Sequence, residues 1–473
     1  MIFQKDIPEF DYNGEADRLY ENARIDDGTV VVILDDDPTG TQTVHDVNVY
    51  TDFEGETILR AFRENDKQFF ILTNSRSFPA YYTAEVHKKI AERIKIAARK
   101  TGKKFIIISR GDSTLRGNWP IETKVLADNC GEKIDGEILI PFFKEGGRFT
   151  FGDIHYVRTG RLIFPVAETE FAKDPTFGFK SSDLKEYIEE KTEGAVKASE
   201  VISISLETLN SCDVDGITQS LLQAENGTKI IVNAVSYDDL KIFFCAYVNA
   251  LKSGKKYIFR TAASWVKICI KNSRRSLIDN LKRYESNDNG GIIIVGSHVD
   301  KTTKQLEYMK SSRLPVEYIR FSVNYFADMS AEAAIVSAKA TDLIKQRKTV
   351  CVYTSRQVVG ADNPDKDERL RFSLKVSYFL TSIVADLKCD PSFVIAKGGI
   401  TSSDIGVKAL GIKKAEAIGQ LMPGIPVWLT EDDTRFGKMP FVIFPGNVGE
   451  EDSLYQAVRK ILNLKEISHE KIY

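Results

Sequence analysis

Three aspartates in succession, Asp35, Asp36 and Asp37, follow the apolar run Val31-Val32-Ile33-Leu34 and lead into Pro38-Thr39-Gly40. A short apolar run bounded by turn residues predicts a strand buried on both faces. The acids then stand just past its carboxyl end, the edge where open α/β sheets bind ligands. Neighbouring carboxylates repel one another, so a metal, a basic neighbour or a shared proton must offset the repulsion. Pro38 and Gly40 turn the chain sharply and let backbone N–H groups approach a ligand. One acid here reads as an ordinary helix cap; three before a Pro-Thr-Gly turn favour a functional site.

A second constellation, Arg110-Gly111-Asp112-Ser113-Thr114-Leu115-Arg116-Gly117-Asn118, directly follows the apolar segment Phe105–Ser109. Guanidinium forks match carboxylates bidentately, and serine and threonine suit sugar hydroxyls. Asn74, Ser75 and Arg76 follow another apolar segment, Gln68–Thr73. In the second half, Ile292–Val295 ends in Gly296-Ser297-His298, and Phe393–Ala396 runs into Lys397-Gly398-Gly399-Ile400-Thr401-Ser402-Ser403-Asp404. Glycines that bare backbone N–H groups, with hydroxyls at a helix start, suit a phosphate. The spacing is not that of a Walker A loop. Phe441–Phe444 ends in a third turn, Pro445-Gly446-Asn447-Val448-Gly449.

The elements that must hold these turns alternate. Strands over 31–34, 68–73 and 105–109 enclose helices, one opened by Pro79 and ended by Gly102. That alternation predicts a parallel, doubly wound sheet. Glu137–Pro141, Ile230–Val232 and Tyr257–Phe259 read as further strands, and Asp183–Lys191 and Tyr237–Leu251 as helices. Phe149–Lys180 reads as a hairpin or flap, from which Glu168, Thr169 and Glu170 could reach a ligand. A long cationic helix is expected from Ser264 to about Tyr284. The polar run Ser286–Gly291 marks the domain boundary, giving domains 1–285 and 290–473. Val350–Thr354 and Pro426–Leu429 are later strands, and Ser453–Leu462 a closing amphipathic helix. No internal sequence repeat is visible.

The 473 residues carry a net charge of −2, with 42% hydrophobic and 28% charged residues, an ordinary globular balance. Nothing in it points to nucleic acid or an anionic membrane surface. No apolar run reaches the roughly 20 residues of a membrane helix, and the acidic N-terminus is unlike a signal peptide. A cytoplasmic location is expected. Cys130, Cys212, Cys245, Cys269, Cys351 and Cys389 form no CxxC pair and read as small buried hydrophobes. The five histidines are scattered, so no metal site is expected.

Jointly the motifs resemble the four-carbon acid sugar kinase family, which contains 3-oxo-tetronate and threonate kinases. The matching stretches are DDDPTGTQT at Asp35–Thr43, DSTLRGN at Asp112–Asn118, EGGR at Glu145–Arg148 and ETEFAKDP at Glu168–Pro175. They continue with FRTAASWV at Phe259–Val266, VGSHVDKTTKQL at Val295–Leu306, KGGITSSDI at Lys397–Ile405 and PGNVG at Pro445–Gly449. The resemblance implies two α/β domains with mainly parallel sheets, and an active site in the cleft between them. It implies an N-terminal domain for a sugar acid and a C-terminal domain for ATP; Mg²⁺ is expected to bridge the ATP phosphates, whose oxygens suit a hard cation. Carried over by motif, Ser297, Gly398, Gly399, Ile400, Thr401 and Gly446 would contact the nucleotide. Asp36, Asp37, Arg76, Asp112, Ser113 and Arg116 would contact the sugar acid, with Asp36 or Asp37 as catalytic base. The sequence departs from the family in Asp35 and Pro38 of the acidic turn and in Ile400 where a glutamate is usual. A homo-oligomer is left open. Two other readings exist: a haloacid-dehalogenase-like phosphatase using Asp35 and Asp37, and a non-catalytic sugar-acid sensor.

Overall fold

A computed structural model describes residues 2–65, 67–273, 275–297, 299–324, 328–355, 366–446 and 448–464. His298, Arg356 and Asn447, which belong to the sequence motifs, lie outside them. The chain divides into two compact units, Met1–Thr43 with Val47–Arg274, and Val44–Asp46 with Arg275–Tyr473.

In the first unit, Val30, Val32 and Leu34 alternate along one strand and turn one face toward helices. They pack with Ile58 and Phe62 of helix Gly55–Glu64 and with Ile90 and Ile94 of helix Ala80–Thr101. Burying each such side chain contributes roughly 1.5–3 kcal/mol. Gly102, at φ 68°, ends the longer helix in the left-handed conformation its sequence position predicts. Val31 and Ile33 are buried on the opposite face, so the strand is covered on both sides.

The sheet of this unit runs Ile202–Ile204, Thr228–Val232, Gly136–Ile140, Tyr257–Thr261, Lys104–Arg110, Thr29–Asp35, Gln68–Leu72, Val47–Tyr50. Every neighbouring pair is parallel. From Thr29–Asp35 the chain goes to Val47–Tyr50, the outermost strand of this unit, and returns through Gln68–Leu72. It then crosses to Lys104–Arg110 on the other side of its starting strand. Connections leaving Thr29–Asp35 and Lys104–Arg110 thus diverge, which defines a topological switch point and opens a crevice at their carboxyl ends.

The second unit winds the same way. Ile292–Val295 leads to the edge strand Val316–Phe321, back through Thr349–Thr354, and across to Val394–Lys397. Its switch point therefore lies between Ile292–Val295 and Val394–Lys397. Pro440–Phe444 pairs parallel with Val394–Lys397, and Ile425–Thr430 and Lys414–Met422 extend that side antiparallel. Each unit is thus an α/β fold on a mainly parallel sheet.

The flap expected over 149–180 is a separate antiparallel sheet of Ile2–Phe3, Leu162–Pro165, Ile154–Thr159 and Arg148–Phe151, followed by turns. The long cationic helix is not formed. Helix Ala263–Cys269 stops before Lys271, which takes φ 50°. Ile278 and Leu281 instead enter the core of the second unit, and the Ile278 N–H donates to the Gln420 carbonyl at 2.8 Å. Burial of two apolar side chains there outweighs the local helical preference of a charged segment. Lys414–Met422, without an expectation from sequence, forms the strand that receives it. Among the described residues no helix is long and apolar enough to cross a membrane.

Candidate functional site

The register Asp35↔Arg110 sets the acidic turn beside the start of the second constellation. Asp35 is 2% exposed, and Arg110 Nη1 donates to its Oδ1 at 3.1 Å. Its carboxylate lies against Gly40, where a Cβ would stand 1.5 Å from Oδ2. Only glycine permits that approach, which accounts for Pro-Thr-Gly after the acids. Burial pushes the Asp35 carboxyl up to about 7; Arg110 restrains the rise, and Asp36 and Asp37 add to it.

Arg76 serves the other two acids. Its Nε and Nη2 donate to the two oxygens of Asp36 at 3.1 and 2.6 Å, a bidentate fork. Its Nη1 donates to Asp37 Oδ2 at 3.3 Å and stands 3.9 Å from Asp112 Oδ1. Burial alone would raise Asp37, but Arg76 and the bond from the Thr39 N–H at 2.8 Å carry it below the usual carboxylate range. The repulsion among the acids is thus met by two guanidinium groups and one weakened acid.

The loop after Lys104–Arg110 closes the cluster. Asp112 accepts from Arg116 Nε at 2.9 Å and from the hydroxyl of Thr114. Burial opposes its charge, yet Arg76 and Arg116 hold it well below the ordinary value. Arg116 lies with its guanidinium 4.9 Å from the centre of the Phe171 ring and 3.8 Å from Asp174 Oδ2. Phe171 and Asp174 are therefore what the flap brings to Arg116. Ser113 is buried, and its carbonyl accepts from Nε2 of His155 at 2.8 Å. Burial lowers His155 to about 4, so it is neutral at pH 7 and acts as a fixed donor.

Three arginines outside the expected site set complete this cluster. Arg110 pairs with Asp35 and has a buried Nε with no partner among the described residues. Arg260 Nη2 donates to the Arg116 carbonyl at 2.8 Å, and a Cβ on Gly111 would stand 1.5 Å from its Nη1. Arg148 stands 5.9 Å from the Phe171 ring. A cation closing an apolar strand, as Arg260 does in Tyr257–Thr261, is the sequence signal that could have found one of them.

In the second unit, the registers Val295↔Lys397 and Lys397↔Phe444 put three strand-end turns side by side. Gly398 takes φ 123°, where side chains are strained, and its Cβ would be 3.2 Å from that of Ser297. A Cβ on Gly446 would be 2.9 Å from Ser297 Oγ. Helix Gly399–Asp404 begins at the second turn, with Thr401 buried and Ile400 41% exposed. Thr302 Oγ1 donates to the Gly446 carbonyl at 2.9 Å, and Gln305 Nε2 to those of Val448 and Glu450 at 3.0 and 2.8 Å. Lys397 is fully buried, 3.9 Å from the Phe444 ring centre, with Nζ donating to the Pro445 carbonyl at 2.9 Å. It braces the third turn from below, while the glycines bring backbone close together at a surface suited to phosphate oxygens. Ser297, Gly398, Thr401 and Gly446 are thereby gathered; Asp36, Asp37, Arg76, Asp112 and Arg116 are gathered separately in the first unit.

Residues 31–268 match the model of a sugar-binding N-terminal domain, and residues 292–454 that of a nucleotide-binding C-terminal domain. The molecule is thus a two-domain α/β protein with a sugar-binding domain followed by a nucleotide-binding domain. More narrowly, the chain belongs to the four-carbon acid sugar kinase family. A protein of Salmonella typhimurium LT2, provisionally described as a tRNA synthase, shares the fold with a TM-score of 0.64 at 16% identity, over 91% of this chain and 99% of its own. Haemophilus influenzae protein HI1011, of family DUF1537, does so with a TM-score of 0.58 at 16% identity, over 90% of this chain and 99% of its own. A search of curated proteins returns no match.

Proposed function

We propose that the protein is an ATP-dependent kinase that phosphorylates a hydroxyl of a four-carbon sugar acid such as threonate, erythronate or an oxo-tetronate. The observation that carries this reading is that one chain bears two switch-point sites of complementary chemistry. One offers carboxylates and guanidinium groups; the other offers glycine turns that bare backbone N–H groups. The first suits a polyhydroxy carboxylate, the second a triphosphate.

Phosphoryl transfer needs positioning, charge neutralisation and an oriented nucleophile. Asp37 is the more open member of the expected catalytic pair, its side chain 16% exposed against 3% for Asp36. Held ionised by Arg76, it accepts the proton of the substrate hydroxyl as the oxygen attacks the γ-phosphorus and ADP leaves. Asp36 fixes Arg76 through the bidentate pair. Arg116, with its side chain 24% exposed, receives the substrate carboxylate. Backbone N–H groups at Ser297, Gly398 to Thr401 and Gly446 hold the nucleotide phosphates. The reaction requires the γ-phosphate held by one domain to reach the hydroxyl held by the other. Mg²⁺ would enter with the phosphates, whose oxygens suit a hard cation. Among the described residues no group of three or more His, Cys, Asp or Glu is arranged to hold a metal.

A phosphatase with Asp35 as nucleophile is disfavoured, because that carboxylate is buried against Gly40 and paired with Arg110. The deciding experiment is an ADP-release screen over threonate, erythronate and their 2- and 3-oxo forms. ADP formed only with a sugar acid is the expected result. Phosphate released without any acceptor, or no response to ATP, overturns the reading.

A further inference from the structure

Thr29–Asp35, Lys104–Arg110 and Tyr257–Thr261 run parallel, so their amino ends share one sheet edge and the acidic turn stands at the other. At roughly 3.3 Å per residue, the two edges are about 20 Å apart. A cavity of about 570 Å³ opens at the amino edge. That volume lies within the range of small-molecule sites, about 300–1,000 Å³. Its wall includes the partly exposed Ile25, Phe105, Ile134 and Leu251. Around them stand Arg24, Lys95, Arg99, Lys104 and Lys252, none of which forms an ion pair among the described residues. The lining carboxylates are Asp26 and Glu132, and Glu132 is paired with Lys256. Lys255 turns its ammonium to the Ala224 carbonyl at 2.7 Å and is 3.6 Å from Asp135.

A chain of net charge −2 thus concentrates unpaired cations around an apolar hollow. Isolated exposed lysines are ordinary, since their stems lie on apolar surface with the charge in water. Here they ring a cavity, and the combination selects a ligand. A neutral apolar molecule would leave the rim charges without partners. An inorganic anion would leave the apolar wall facing water. We infer that this cavity is a second binding site, for a small organic anion with an apolar body and a carboxylate, sulfonate or phosphate head. Its body lies on Ile25, Phe105, Ile134 and Leu251, and its head meets the cations of the rim. The inference does not depend on the kinase reading, because it involves no residue of either switch point.

The test is calorimetric titration of the full chain with three probes. Dodecanoate supplies an aliphatic body, 8-anilinonaphthalene-1-sulfonate an aromatic one, and inorganic phosphate none. At least one amphipathic probe should bind one-to-one, and phosphate at least about tenfold more weakly, since burying the body adds apolar contact. Which of the two binds assigns the body as aliphatic or aromatic. Arg99→Glu with Lys104→Glu, both exposed, should weaken the bound probe about tenfold by reversing two rim charges, with the melting temperature and ATP affinity unchanged. Binding of phosphate as tight as either probe, binding of many probe molecules per chain, no binding at all, or full affinity in the double variant overturns the inference.

Discussion

The two switch points have the same winding and opposite chemistry. Where Thr29–Asp35 and Lys104–Arg110 diverge, the turns carry side-chain charge, and each acid is held by a named guanidinium or by its own raised proton affinity. Where Ile292–Val295 and Val394–Lys397 diverge, glycines in the turns bring backbone close to Ser297. The winding supplies a crevice in both units. On the proposed function, what fills the turns decides whether that crevice takes a polyhydroxy carboxylate or a phosphate chain. The first site should therefore fail through loss of charge and the second through gain of a methyl group.

The largest expected effect is on the charged side. Asp37→Asn keeps the shape of the turn and the bond from Thr39 but removes the proton acceptor. Turnover should fall by about 10²–10⁴-fold with ATP affinity unchanged, read by steady-state kinetics and calorimetry. Unaltered turnover would reject the base assignment and blur the division between the sites.

On the backbone side, Gly398→Ala forces a side chain into φ 123° beside Ser297. Such strain costs about 1–3 kcal/mol. Nucleotide affinity should fall about tenfold or more, with sugar-acid affinity unchanged in the same titrations. Equal loss for both ligands would show that the glycine turns are not specific to the nucleotide.

A smaller effect is expected in stability against pH. Folding raises Asp35 from 3.8 to about 7, so between those values the native state binds more protons than the unfolded chain. The stability this group contributes is full below about pH 4 and is lost as pH rises through about 7. Asp35→Asn should remove that downward component, seen as a flatter melting-temperature curve over this window. An unchanged curve would mean the Asp35 proton is not held by burial. His155, lowered to about 4, acts in the opposite sense: its contribution is present above its ordinary value of 6.5 and lost as pH falls through about 4. The two can be separated by comparing Asp35→Asn with His155→Gln.

The smallest effect belongs to Ile400. It is 41% exposed, and on the proposed function its turn holds phosphate through backbone N–H groups. Ile400→Glu should leave nucleotide affinity within about twofold, since the backbone N–H groups of the turn stay in place. A large change would mean that side chains, and not backbone alone, shape the second site.

The strand ends and their turns were legible because each is local: an apolar run followed at once by Asp35–Gly40, Arg110–Gly117 or Gly398–Thr401. Gly102 and Pro79 likewise act within one helix. What was not legible depends on distant partners. Arg260 reaches the site only because Tyr257–Thr261 pairs with Lys104–Arg110, more than 140 positions away in the chain. Ile278 and Leu281 leave a helical pattern because a core elsewhere takes them in, and no nearby residue announces it. The repeated winding was hidden for the same reason, since strand order is set by pairing and the two halves share no sequence repeat.

The division of labour is most directly tested by hydrogen exchange on the full chain, with a non-hydrolysable ATP analogue and with threonate added separately. The expected result is that the analogue slows exchange at Gly296–Ser297, Gly398–Thr401 and Gly446, while threonate, or the sugar acid the screen selects, slows it at Asp35–Gly40 and Asp112–Gly117. Protection of the acidic turn by the nucleotide analogue, with the glycine turns exchanging as in the free protein, would contradict the account.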